Sequence, residues 1–131
     1  MTVDQFIAKY QGQEVSDPFG TYKGECVSLV KMWLKENGWP MLRGNAINWQ
    51  YNGGGAYRWY KNYPWTVPQE GDMVVFQVGQ YGHIGIVLAG ATGRAVRVFS
   101  QNWPTGNDTD PARVTTFDYV HPKIIGFLRH I

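Results

Sequence analysis

The sequence contains a single cysteine, Cys26, and this scarcity excludes two kinds of site. One thiol cannot form an internal disulfide bond, and it cannot supply a zinc site built from several cysteines. No stretch approaches the ~18 apolar residues of a membrane-spanning helix. The first residues, MTVDQFIAKYQGQ, also lack the basic-then-apolar order of a signal peptide. We therefore expect a protein without a membrane span that is made in the cytoplasm and is delivered by other means if it acts outside.

Runs of basic residues are missing as well. Lysine and arginine together number 12 against 10 aspartates and glutamates, which leaves a net charge of +2. Strong nucleic-acid binding through phosphate neutralisation is therefore not expected. A mild positive charge remains compatible with an anionic polymer or a cell surface.

Apolar and aromatic residues are abundant instead. Hydrophobic residues make up 44% and charged residues 17% of the 131 residues, which argues against disorder and favours one folded domain over residues 1–131. The chain also has 16 glycines and an aromatic content of 15%, which is typical of strands and ordered loops rather than of a helical bundle.

Helical periodicity is clearest over residues 26–37. Apolar residues at positions 26, 29, 30, 33 and 34 form one stripe, and Gly38 is a suitable C-terminal stop. Cys26 is then in the first turn, on the buried stripe. Shorter helices are predicted at Val3–Tyr10 and near Ala46–Trp49.

Strands are predicted in the second half of the chain, after a loop-like region at 41–70. The apolar runs are Met73–Val78, His83–Leu88 and Ala95–Phe99, with edge strands at Val114–Tyr119 and Ile124–His130. Short turns such as Ala91–Gly93 favour antiparallel pairing. Helices followed by strands indicate an α+β domain in which N-terminal helices pack on an antiparallel sheet.

Three residues could form a nucleophilic site, and each also has a purely structural interpretation. Cys26 has the helix N-terminus that favours a thiolate, but a cysteine on a buried stripe is more often part of the core. His83 is a natural base, or else a polar residue on the solvent side of a strand. Asn102 ends the third apolar run and could orient the imidazole, or else belongs to a turn. His121 and His130 are expected at the surface.

Four motifs occur in an order that resembles the CHAP domain family, the cysteine- and histidine-dependent amidohydrolases/peptidases. They are GEC (24–26), PQEGDMVVF (68–76), GHIGIV (82–87) and FSQNW (99–103). Residues 44–46 followed by Trp49 also look like the family's middle motif. The resemblance spans about residues 22–128.

The resemblance implies a papain-like fold and hydrolysis of an amide bond in bacterial peptidoglycan, by an N-acetylmuramoyl-L-alanine amidase or an endopeptidase, without a cofactor. It implies Cys26 as the nucleophile, His83 as base and then acid, and Asn102 as the orienting group. The expected substrate-binding residues are Tyr22, Glu25, Trp49 and Trp103. A phage lysin or a fragment of one would act at the cell wall after release, with wall binding left to the groove or to a separate module or subunit.

The sequence departs from the family at three places. Glu25 replaces a common glutamine, and its charge would tend to raise the pKa of the neighbouring thiol. Ser100 replaces a glutamate found in many members. Only Asp17 remains in a loop where some phage members bind calcium, and the small acidic loop containing Asn107, Asp108 and Asp110 is more simply a solvated turn, so no metal site is predicted.

Two alternatives to peptidoglycan hydrolysis stay open. One is a non-catalytic wall-binding or structural domain on the same fold, which the departures at Glu25 and Ser100 would permit. The other is an amidase for a different peptide or polyamine conjugate. The aromatic region from Trp49 to Trp65 is expected mainly to cover the core, with a sugar-stacking groove as the second interpretation.

Overall fold

The structure is a computed structural model, and it describes residues 1–88, 95–103, 109–118 and 123–131. Helices precede most of the strands: α1 spans Val3–Tyr10, α2 spans Cys26–Asn37 and α3 spans Trp49–Asn52. Thr2 caps α1 by accepting from the Gln5 backbone N–H. The C-cap of α2 is Gly38, whose φ of 68° is in the left-handed region that glycine adopts without strain. Helices α1 and α2 therefore begin and end where the sequence pattern placed them, and the helix predicted near Ala46–Trp49 is a 3-10 turn at Ala46–Asn48 followed by α3.

Six strands form one antiparallel sheet in the order β1-β6-β2-β3-β4-β5. The strands are β1 Tyr57–Lys61, β2 Met73–Phe76, β3 His83–Val87, β4 Ala95–Ser100, β5 Arg113–Asp118 and β6 Ile124–His130. Every strand pair is antiparallel. The predicted α+β class, with helices and an antiparallel sheet, is confirmed.

Two sequence-based expectations about the sheet were wrong. Strand β1 lies inside the region predicted as loop, and β6 is an interior strand between β1 and β2 rather than an edge. The two errors have one cause, because β1 covers the edge that β6 would otherwise present. The close approach of β1 to β6 is possible because Gly126 in β6 has no side chain, and a Cβ there would lie 2.3 Å from the Trp59 ring in β1. The predicted turn at Ala91–Gly93, together with Tyr119 and His121, lies outside the described residues.

The sheet is covered on both faces. On one face, α2 packs Leu29, Val30, Trp33 and Leu34 against Val75, Ile84 and Ile86. On the other, a second apolar cluster contains Val74, Phe76, Val87, Val96, Val98, Ile124 and Phe127. Strand β3 is consequently buried along its whole length. A solvent-facing strand position for His83, which was one of the two sequence interpretations, is therefore wrong.

The helices of the described residues are too short or too polar to cross a membrane.

Candidate active site

A cavity of about 1040 Å³ opens where the N-terminus of α2 meets the beginning of β3. Cys26, His83 and Asn102 all line it. These residues come from α2, from β3 and from the segment that follows β4. The three side chains that the sequence selected as a nucleophilic site therefore line the same cavity.

Cys26 is the first residue of α2, and 8% of its surface is exposed. Burial raises the pKa of its thiol to about 11. The backbone N–H groups of Ile84 and Val27 oppose this shift by hydrogen bonding to the sulfur, while the Glu25 carboxylate adds to it. In this state the thiol is protonated at neutral pH.

His83 is 3% exposed and packs among aromatic rings. Its ring centroid lies 5.4 Å from that of Phe76 and 4.8 Å from that of Trp103. Burial lowers the pKa of the imidazole to about 4, so the ring is neutral at neutral pH. The buried Nε2 atom has no hydrogen-bond partner among the described residues.

Asn102 follows β4 in the left-handed region, with a φ of 62°. Asparagine tolerates this conformation better than most residues. Its backbone N–H donates to the carbonyl of Asp110 at 3.1 Å. Its Oδ1 atom is buried without a partner, as is Nε2 of His83. Asn102 and His83 therefore line the same cavity, but no hydrogen bond joins Oδ1 of Asn102 to Nε2 of His83.

The residues expected to bind substrate separate into two groups. Tyr22, Glu25 and Trp103 line the cavity. Trp49 does not, because it is fully buried and its indole N–H donates to the Gly44 carbonyl at 3.1 Å. Trp49 has no free ring face for a ligand, and its expected role in substrate binding is corrected to one in the core. Tyr81, which the sequence analysis did not select, is 57% exposed and lines the cavity.

Among the described residues, no group of three or more histidine, cysteine or acidic side chains is placed to hold a metal ion. Asp17 has a structural role: its Oδ1 accepts from the backbone N–H groups of Thr21 and Tyr22, at 2.7 and 3.1 Å. In the small acidic loop, Asn107 and Asp108 lie outside the described residues. Asp110 forms an ion pair with Arg113 at 3.3 Å.

A family model described as "CHAP domain" matches residues 16–102, which is more than half of the chain. The chain belongs to the CHAP domain family. The resemblance inferred from the four motifs is therefore confirmed, and all four lie wholly or almost wholly within the matched segment.

Two curated relatives of this CHAP domain are phage endolysins. Endolysin LysK of Staphylococcus phage K is 35% identical over 96 residues, which is 66% of this chain and 19% of LysK. Endolysin PlyTW of Staphylococcus phage Twort is 36% identical over 112 residues, which is 76% of this chain and 24% of PlyTW. The chain thus spans about a fifth to a quarter of the length of these relatives.

Solved structures support the fold of the CHAP domain. The wild-type endolysin LysIME-EF1 superposes with a TM-score of 0.79 at 21% identity, over 96% of this chain and 61% of that one. Ly7917 superposes with a TM-score of 0.69 at 15% identity, over 95% and 60% of the two chains.

Gln101 is a site residue that the sequence analysis missed. It is fully buried, and its side-chain amide joins two segments of the site. Its Nε2 donates to the carbonyls of Glu25 at 2.7 Å and Val15 at 2.9 Å, while its Oε1 accepts from the Val15 N–H at 2.9 Å. The residue before Cys26 is thereby tied to the residue before Asn102. Only the long-range pairing reveals this, since the local sequence offers no signal for it.

Replacing Gln101 with alanine is expected to destabilise the CHAP domain by about 2–3 kcal/mol, because buried backbone groups of Val15 and Glu25 lose their partners. Urea unfolding at pH 7 measures the change. Gln13→Ala is a matched control, since the Gln13 side chain is exposed and donates only to the Lys9 carbonyl. Equal midpoints for the two variants would contradict the prediction.

The buried imidazole also predicts loss of stability in acid. Because burial lowers the pKa of His83 from 6.5 to about 4, its contribution to stability is present above pH 6.5 and is lost as the pH falls towards 4. The lost contribution is about 3 kcal/mol at 1.36 kcal/mol per pKa unit. Urea midpoints between pH 7 and pH 4 measure it, and His83→Gln should flatten this part of the profile. An unchanged slope in that variant would assign the acid sensitivity to other groups.

Proposed function

We propose that this CHAP domain is a peptidoglycan hydrolase that cleaves an amide bond, as an N-acetylmuramoyl-L-alanine amidase or as an endopeptidase. One observation carries the proposal: Cys26, at the N-terminus of α2, and His83, at the beginning of β3, line the same cavity. The two staphylococcal phage relatives are endolysins, which supports the bacterial cell wall as the place of action.

The proposed reaction is acyl transfer through a thioester. His83 takes the proton from the Cys26 thiol as the sulfur attacks the carbonyl carbon of the amide. The tetrahedral intermediate then collapses, the C–N bond breaks, and the leaving amine takes the proton from His83. A water molecule, activated by the neutral imidazole, hydrolyses the thioester and restores the thiol. Backbone N–H groups in the first turn of α2 suit the developing oxyanion.

The charge states of the resting site favour proton transfer during the attack over a preformed ion pair. Burial keeps the pKa of the thiol high, at about 11, and the pKa of the imidazole low, at about 4. Both groups are consequently neutral near pH 7. A neutral imidazole is the form that accepts a proton, so His83 is ready to act as a general base without prior ionisation of Cys26.

The remaining site residues are proposed to position the imidazole and the substrate. Asn102 is the proposed orienting group, which is supported by its place in the lining of the same cavity as His83. Tyr22, which is 55% exposed, offers a ring to the substrate at the mouth of the cavity. Glu25 offers a carboxylate, and the Trp103 ring lies 4.8 Å from that of His83, centroid to centroid.

Wall binding is proposed to involve more than this chain. The relatives are several times longer than the matched segment, so a separate wall-binding module or subunit fits the comparison. We propose that the protein acts at the cell wall after release or delivery from the cytoplasm.

Digestion of purified peptidoglycan tests the proposal. Walls with lysine-containing and with diaminopimelate-containing stem peptides are incubated with the protein, and the soluble products are identified by mass spectrometry. New amino termini on stem peptides would establish amide hydrolysis, and the residue at each terminus would distinguish an amidase from an endopeptidase. Retention on the insoluble wall without new termini would favour a binding domain and contradict hydrolysis.

A further inference from the structure

Three polar atoms near the imidazole are buried without hydrogen-bond partners among the described residues. They are Nε2 of His83, Oγ of Ser100 and Oδ1 of Asn102. Buried polar atoms are normally paired, because an unpaired one costs the free energy of its lost hydration. Three of them in neighbouring positions of one site therefore need a common explanation.

The strand register puts the side chains of His83 and Ser100 on one face of the sheet. Ile86 pairs with Phe99 and Val87 with Val98, so the antiparallel register brings Ser100 opposite Gly85. A Cβ built on Gly85 lies 3.0 Å from the Cβ of Ser100, which agrees with that placement. Side chains alternate along a strand, so His83 shares the face of Gly85 and lies diagonally across from Ser100.

Gly85 allows close packing of β4 side chains on this face of the sheet. A Cβ at this position would lie 2.3 Å from Cγ1 of Val98, so no larger residue fits without rearrangement. The Ser100 side chain is buried at 1% exposure on the same face as the imidazole and diagonally across from it. Asn102 reaches the same region from the end of β4, where it lines the cavity with His83.

The hydrogen-bonding capacities of the three atoms are complementary. A protonated Nε2 donates, a serine hydroxyl both accepts and donates, and an amide oxygen accepts. We infer that Ser100 is a positioning residue that links the imidazole to Asn102, through a chain in which His83 Nε2–H donates to Ser100 Oγ and the Ser100 hydroxyl donates to Asn102 Oδ1. These two hydrogen bonds form by rotation of the three side chains within the site.

This chain would fix one tautomer of the imidazole. With the proton held on Nε2, Nδ1 is the nitrogen left with a free lone pair, and it is the one that accepts the proton from Cys26. The inference rests on the proposed function only for its catalytic consequence. The tautomer itself is a property of the resting protein and can be measured without substrate.

Nitrogen-15 NMR of the histidine side chains tests the chain directly. At pH 7 the His83 ring, assigned by comparison with His83→Gln, is expected to carry its proton on Nε2. In Ser100→Ala the ring should become a mixture of the two tautomers. Asn102→Gly, which suits the left-handed backbone at this position, should give a smaller shift in the same direction. Proton occupancy on Nδ1 in the unaltered protein, or an unchanged spectrum in Ser100→Ala, would overturn the inference.

Kinetics supply the second readout. Ser100→Ala is expected to lower kcat about tenfold to a hundredfold with little change in KM, since the group acts through the imidazole. The acidic limb of the pH–rate profile should move to lower pH, because the imidazolium loses an acceptor. Adding Asn102→Gly to Ser100→Ala should cost little more, because the chain is already broken. Full additivity of the two effects would favour independent contacts and contradict the chain.

Val96→Ala is the control for loss of packing. Val96 is buried on the same face of β4, further along the strand from Ser100, and has no polar side-chain atom, so this variant should lower the melting temperature without moving the pH profile or the tautomer. The two proposals can fail separately. If no wall is digested but Ser100→Ala alters the tautomer, the hydrogen-bond chain is supported and the proposed hydrolysis is contradicted. If digestion occurs and neither the tautomer nor the pH profile responds, hydrolysis stands and the chain is wrong.

Discussion

Digestion of peptidoglycan is expected to fall by at least about a thousandfold when Cys26 is replaced with alanine, because this variant lacks the thiol that is proposed to form the acyl intermediate. Cys26 is the sole cysteine of the chain, so no second thiol can substitute. Release of soluble stem peptides, followed by mass spectrometry, measures the rate. The variant should fold normally, since the substitution removes one small, buried sulfur from the first turn of α2.

Met32→Ala is the matched control for this experiment. Met32 is also in α2 and packs partly buried against the core, but it does not line the cavity. Its replacement tests whether a general loosening of the helix lowers the rate. Residual digestion by Cys26→Ala within tenfold of the unaltered protein would show that the thiol is not the nucleophile.

The largest loss of stability is expected from the buried carboxylate of Asp72. It is 1% exposed and accepts two hydrogen bonds from Arg129, at 2.7 and 2.8 Å, and one from the backbone N–H of Gln69 at 2.8 Å. The Arg129 guanidinium lies over the Tyr60 ring, 4.2 Å from its centroid. Asp72→Ala leaves this partly buried cation without its partner, and we expect a loss of about 3–5 kcal/mol in the free energy of unfolding.

Urea unfolding at pH 7 measures this effect, and a surface ion pair supplies the control. Lys9 and Glu36 form a pair that joins α1 to α2, with the lysine side chain 50% exposed. Lys9→Ala should shift the midpoint far less than Asp72→Ala, because water solvates the remaining charge. A similar shift in both variants would mean that burial does not determine the cost of breaking the Asp72 pair.

The parts of the fold with strong local signals were predictable from the sequence. Helix α2 has an apolar stripe with the helical period and a glycine stop, and the structure gives it the predicted ends. Strand β1 has no comparable signal, because it depends on pairing with β6 at the far end of the chain. Its alternation of Tyr57, Arg58 and Trp59 is interpretable only once that partner is known.

The candidate site shows the same difference between features with a local sequence signal and features that depend on tertiary packing. The order of four short motifs pointed to Cys26, His83 and Asn102, and the structure places all three on one cavity. Exposure of an aromatic ring, in contrast, is decided by tertiary packing. Trp49 is fully buried while Trp65 is 75% exposed, although both belong to the same aromatic region. The contacts of Gln101 could not be predicted from the sequence for the same reason.

Residues 100–102 serve both sides of the sheet end, because Ser100 follows Val96 and Val98 on one face of β4 while Gln101 holds the backbone of Val15 and Glu25. Deleting or inserting one residue here would exchange the two roles, since a shift of one position turns every side chain of a strand to the opposite face. In a library of variants, this tripeptide should therefore accept some substitutions but no change of length, which makes it a poor site for grafted loops or tags.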